Sequence, residues 1–196
     1  MTVSIKDLNH IFLTILLVMA MTSCAKKEEQ YSYALYYGED SIPSSYLVKV
    51  ISYEGDYRRD LTFTSNSKEE PLRQTNKEKF KLVKGGLNKV IKKGDTPVVK
   101  PYMTTLDTEC VEFLFENEMD DVLATTLCFL GKEDMMIGDE KYEGAYKFKK
   151  ILGSQHKVES IAYYDSDFIL LKEEYVSGYT DEYRIIRLDT LIEARH

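Results

Sequence analysis

The chain holds no tryptophan, four prolines, three histidines and three cysteines among 196 residues. Each shortage excludes something. His10 lies near one terminus and His196 at the other, so His156 is the only interior imidazole. A zinc centre of the usual ligands needs a cluster, and neither a His-Glu-x-x-His helix nor a four-cysteine set occurs. A glycine-rich phosphate loop and a G-x-S-x-G elbow are also missing. The sequence therefore points to no cofactor and no metal. Scarce proline, set against fifteen tyrosines and eight phenylalanines, describes an aromatic-rich globular chain and not a disordered one.

One long apolar run is present, Ile11 to Met21, followed by Thr22-Ser23-Cys24. A spanning helix needs about 20 apolar residues, and this run has roughly half that, the length of a secretory core segment. Met21-Thr22-Ser23-Cys24 resembles a bacterial lipobox, in which small residues precede a cysteine that is acylated and becomes the first mature residue. The resemblance implies a signal peptide over 1–23, a lipid-anchored tether over 24–30, and a single domain over 31–196. It also implies a membrane partner through lipidated Cys24 and a place in the cell envelope, at the outer membrane. Two or three acyl chains hold a protein stably where one does not. Lys27-Glu28-Glu29 behind the cysteine resembles the surface-export signal of Bacteroidota lipoproteins; a solvated tether of mixed charge explains the same residues.

Charge is unevenly distributed. Residues 24–67 carry a net −2, residues 68–100 a net +6 and residues 101–196 a net −11. The basic segment includes Lys77, Lys79, Lys81, Lys84, Lys89, Lys92 and Lys93. It suits anionic headgroups or, more simply, an exposed hairpin that offsets the acidic remainder. Nucleic acid does not suit an acidic, exported protein.

Period-two alternation bounded by turn residues recurs from Gln30 onward and gives around ten short strands. Ser44–Tyr53 and Tyr57–Thr64 flank Glu54-Gly55-Asp56. Lys79–Val83 and Asn88–Lys92 flank Gly85-Gly86, where a glycine pair opposes helix. Ser65–Asn76 reads as loop, and Lys141–Leu152 as a strand broken near Gly144. Val158–Tyr164, Phe168–Val176 and Glu182–Leu188 form a C-terminal three-stranded meander. The fold class is mainly β, an antiparallel sandwich, an open barrel or a curved sheet with hairpins, with little helix outside the signal peptide.

The centre permits a register. Thr108–Glu116 and Val122–Leu130 alternate around the polar loop 117–121. Centring the loop on Met119 sets Val111 against Leu127, Phe115 against Leu123, and Cys110 against Cys128. Directly opposed residues on neighbouring strands lie within disulfide range, and an exported protein meets an oxidising compartment. The expectation is a Cys110–Cys128 bond; two free thiols on strands are the alternative.

For function, these residues support a non-catalytic binding or structural role, with a lipid or an envelope protein as partner. The strands resemble, at fold level only, the curved sheets of envelope proteins that carry lipids; there Phe113, Phe115 and Leu127 would line an apolar ligand face. Ordinary core packing explains the same three. A hydrolase acting on glycan or peptide is the alternative, and would set His156 beside a carboxylate. Asp165, Asp167, Glu173 and Glu174 would suit Ca²⁺ only if they converged, whereas an Asp-Ser-Asp turn accounts for the first two. The sequence leaves the oligomeric state unknown.

Overall fold

Among the described residues inward and outward side chains alternate along twelve strands, which pair with neighbours in the chain except where the first meets the last. They are β1 (Glu28–Tyr37), β2 (Ser45–Glu54), β3 (Tyr57–Ser65), β4 (Arg73–Val83), β5 (Gly86–Lys93), β6 (Thr96–Thr104), β7 (Val111–Glu116), β8 (Val122–Ile137), β9 (Glu140–Leu152), β10 (Val158–Tyr164), β11 (Leu170–Ser177) and β12 (Tyr183–Leu188). The computed structural model describes residues 27–38, 40–93, 96–106, 110–116, 122–153, 158–177 and 183–188. At residues 93, 114–116, 122, 123, 177 and 183 it describes the backbone alone.

All ladders are antiparallel, in the order β6-β5-β4-β3-β2-β1-β12-β11-β10-β9-β8-β7. Two six-stranded meanders are thus joined where the first strand pairs with the last, Ser32 opposite Leu188 and Tyr37 opposite Tyr183. The free edges, β6 and β7, are consecutive in sequence. Tyr102 on β6 meets Phe113 on β7 edge to face, ring centroids 5.5 Å apart. Side chains therefore span a seam that carries no backbone ladder among the described residues. The result is an open barrel, one of the three architectures expected.

Several boundaries differ from the sequence reading. β4 begins at Arg73, inside the expected loop. β1 begins at Glu28, within the expected tether, where Glu28 opposes Ser52. β8 runs on to Ile137 through the polar stretch Gly131–Asp134, and β9 continues through Gly144. What alternation missed there is a bend. The β8–β9 ladder shifts register between Phe129 and Gly131 and again between Glu133 and Met135, and Gly131 and Gly144 take positive φ (117° and 63°) that other residues rarely adopt. Beyond it the hairpin tip sets Ile137 and Ala145 against Leu171, with Tyr163 and Ile186 beside them, on the outer side of β10–β12.

The β7–β8 register is as expected, with Val111 opposite Leu127 and Phe115 opposite Leu123. Cys110 and Cys128 form a disulfide with Cα atoms 4.1 Å apart. It pins the seam strand β7 to β8.

Candidate functional site

The barrel interior is layered. At the end where β1 begins and β12 ends, the five-residue connection between β10 and β11 folds inward. Asp165 Oδ1 accepts hydrogen bonds from the backbone N–H groups of Asp167 (3.0 Å) and Ile169 (2.8 Å). This turn holds Phe168 at a φ of 58°, in the left-handed region that a bulky residue seldom adopts. Phe168 is buried in one apolar cluster with Phe80, Leu87, Met103, Leu127 and Phe148, its ring 5.2 Å from that of Tyr146. It acts as a plug.

Arg58 clamps that plug from across the barrel. Its guanidinium donates to the carbonyls of Asp167 (2.9 Å) and Phe168 (3.1 Å), and pairs bidentately with Asp60 at 2.7 and 2.6 Å. Both charged side chains are under 5 % exposed. Burial opposes the guanidinium's charge, yet Asp60 holds its pKa above the usual value.

Above the plug lies a charged layer built from the inward positions of five strands. Lys49 on β2 stands opposite Tyr31 and Thr62, and Glu78 on β4 opposite Asp60. Lys89 on β5 donates to Glu78 at 2.6 Å, its amine 5.2 Å from the ring centroids of both Tyr102 and Phe113. Lys150 on β9 stands opposite Leu127 and Ser160. It reaches Glu173 on β11 at 3.2 Å, and the Ser160 hydroxyl donates to the same carboxylate oxygen at 2.7 Å. Burial opposes the ionisation of Glu78, Glu173 and Lys150, but their partners reverse it. Glu173 and Glu78 sit below the usual carboxylate pKa beside Lys150 and Lys89 respectively, and Glu173 lifts Lys150 well above the usual lysine value. Burial also pushes the Tyr102 hydroxyl up to about 12.

Lys49 differs. Among the described residues no carboxylate lies within 4.0 Å of its amine and no acceptor takes a hydrogen bond from it. Asp60, Glu78 and Lys150 act on it only at longer range, and burial lowers its pKa. In the layer the amines of Lys49, Lys89 and Lys150 face two carboxylates, Glu78 and Glu173, while Asp60 is engaged by Arg58. Among the described residues one cation is in excess. The layer is not sealed, because the side chains of Glu78, Lys89 and Lys150 keep 18–19 % exposure and Lys49 is half-buried.

Beyond the layer, toward the end opposite the plug, the inward positions hold Leu35, Leu47, Ile91, Val98, Leu152 and Val158, all half-buried. They form an apolar wall above a charged floor.

The expected site residues fall as follows. Phe113 and Leu127 are 1 % and 2 % exposed, in the packed core beside the seam. The side chain of Phe115, Cys24, His156 and the loop 117–121 lie outside the described residues. The four acidic residues considered for Ca²⁺ are not brought together: Asp165 holds the turn, Glu173 points inward, and Glu174 pairs with Lys172 on the outer side at 2.6 Å. The basic segment divides as well. Lys79 lies over the Tyr57 ring at 4.3 Å and Lys81 3.6 Å from Asp56, while Lys89 enters the interior.

The charged layer is what sequence reasoning missed. Its signal was a charged residue in the apolar phase of three of its strands: Lys49 between Leu47 and Ile51, Lys89 between Leu87 and Ile91, Lys150 between Phe148 and Leu152. No known protein family, characterised protein or solved structure matches the chain.

Proposed function

We propose that this is a lipid-anchored cell-envelope protein with a non-catalytic binding role, whose barrel takes a ligand into its interior from the end opposite the plug. The observation that carries this reading is the layered interior, solid at one end and apolar over a partly solvated charged floor at the other. Strand number supports it. In closed barrels about eight strands give an interior that side chains just fill and the width grows with strand count, and this sheet has twelve.

The anchor rests on the sequence, and the chain's path fits it. Residues 25–27 alone separate Cys24 from β1, a reach of about 10 Å when extended. β1 starts at the plugged end, so acyl chains on Cys24 hold that end near the membrane and turn the apolar mouth away. The membrane is then one partner, and a lipid or lipid-like amphiphile the other.

Labelling cells with an alkynyl fatty acid tests the anchor. The wild-type protein is expected to take up label and to sediment with membranes, and Cys24→Ser to do neither. An unlabelled wild-type protein would overturn it. Native mass spectrometry of the exported Cys24→Ser protein tests the carrier: a co-purifying mass of lipid size is expected, and a bare chain mass counts against a tightly held ligand.

A further inference from the structure

We infer that the Lys49 amine is the receptor for the carboxylate of a single-chain amphiphile, whose hydrocarbon tail lies along Leu47, Ile91, Leu152 and Val158. The inference deepens the binding role proposed above and does not depend on acylation of Cys24.

Three observations lead to it. First, among the described residues the layer contains one more amine than it has free carboxylates, and the unmatched one is Lys49: Lys89 is taken by Glu78 and Lys150 by Glu173. A half-buried cation without a close partner is less well solvated than in water, and an incoming monoanion relieves that cost. A dianion would overcompensate it, and a cation would add to the excess. Second, Lys49 occupies an inward position opposite Tyr31 and Thr62, within electrostatic range of Lys150 on the opposite meander, so an anion on Lys49 also lies in the field of a second amine. Third, the inward residues above the layer, Leu47, Ile91, Leu152 and Val158, are aliphatic and half-buried. A ligand that satisfies both features has one negative charge at the floor and an apolar tail toward the mouth.

Dodecanoate labelled with ¹³C at its carboxyl carbon is the probe, titrated into the full chain carrying Cys24→Ser. The carboxyl resonance is expected to shift saturably, and dodecanol, with the same tail and no charge, to bind at least roughly tenfold more weakly. Lys49→Met is expected to lower dodecanoate affinity by at least roughly tenfold while raising the Tm of the ligand-free protein, because it removes a half-buried charge that has no close partner. The opposite signs separate this result from misfolding. Lys79→Met, on the outer side over Tyr57, is expected to leave both readouts unchanged. Undiminished dodecanoate binding by Lys49→Met, equal affinity for dodecanol, or absence of a saturable shift would each overturn the inference. So would a lower Tm for Lys49→Met, which would make the amine a structural partner. Fatty-acid labelling of the wild-type protein at Cys24 reads the anchor separately, so a failed titration with intact labelling rejects the ligand and leaves the address standing.

Discussion

At the scale of single residues, the interior separates charges that are matched from the one that is not. Arg58 touches Asp60 and two carbonyls of the plug turn at once. Arg58→Ala leaves the Asp60 carboxylate buried and unpaired, and breaking a buried pair this way costs about 3–5 kcal/mol. The expected result is a large fall in chemical-denaturation midpoint, with the plug loosened. A midpoint within error of wild type would show that water replaces the guanidinium. Gly86 makes a steric point instead. A Cβ there would run into the Met103 carbonyl oxygen of β6, so Gly86→Ala is expected to destabilise the seam side by about 1–3 kcal/mol, as overpacking does. These residues were hard to find beforehand. A lone lysine between Leu47 and Ile51 breaks alternation only once, and on a strand of unknown curvature that looks like a solvated position.

At the scale of elements, the β7–β8 hairpin shows what a sequence can specify. Its loop is short, its strands alternate cleanly, and a cysteine sits at each matching position, so register and disulfide follow from one assumption about the loop centre. The same logic fails for β8 past Leu130, because Gly131-Lys132-Glu133-Asp134 carries no apolar alternation. That segment is a strand because β9 pairs with it across two bulges, which is information from another part of the chain. The disulfide closes a loop with a separation of 18 residues, worth about 3 kcal/mol by chain entropy. Cys110→Ser with Cys128→Ser is therefore expected to lower stability by that order, and intact protein to weigh about 2 Da less than its reduced form. Because β7 is an edge strand, amide exchange on reduction is expected to rise first in 111–116.

At the scale of the whole molecule, pH acts on the layer from both sides. Glu78 and Glu173 titrate below their ordinary 4.5 in the fold. The unfolded chain therefore binds protons that the native state refuses, and stability present above about pH 4.5 is lost as pH falls through the native values. Lys49 titrates below its ordinary 10.5. Between its native value and 10.5 the unfolded chain again holds the extra proton, so this residue makes stability rise with pH. Thermal melts across pH 3–10 are expected to show the acid loss in wild type. Lys49→Met is expected to keep that loss and to flatten the alkaline rise; a rise of unchanged size would assign it to another group. The mainly β class was legible from turns and alternation. The choice of an open barrel over a sandwich or a curved sheet was not, because it depends on the pairing of β1 with β12 across the full length of the chain.

That same pairing governs how the barrel comes together in time. Every other ladder joins strands that are neighbours in sequence, so each meander can zip from its own turns. The β1–β12 ladder alone must await a loop closure of some 150 residues, and non-local closure is what slows β proteins. Because Glu28 and Leu188 lie at the same end of the barrel, a short linker could join them, with new termini cut in the connection between β6 and β7. Such a rearranged gene would turn the slowest contact into an ordinary hairpin. Its product is expected to refold severalfold faster in stopped-flow mixing than the natural order, with the gap in the wall becoming the place where the chain starts and stops.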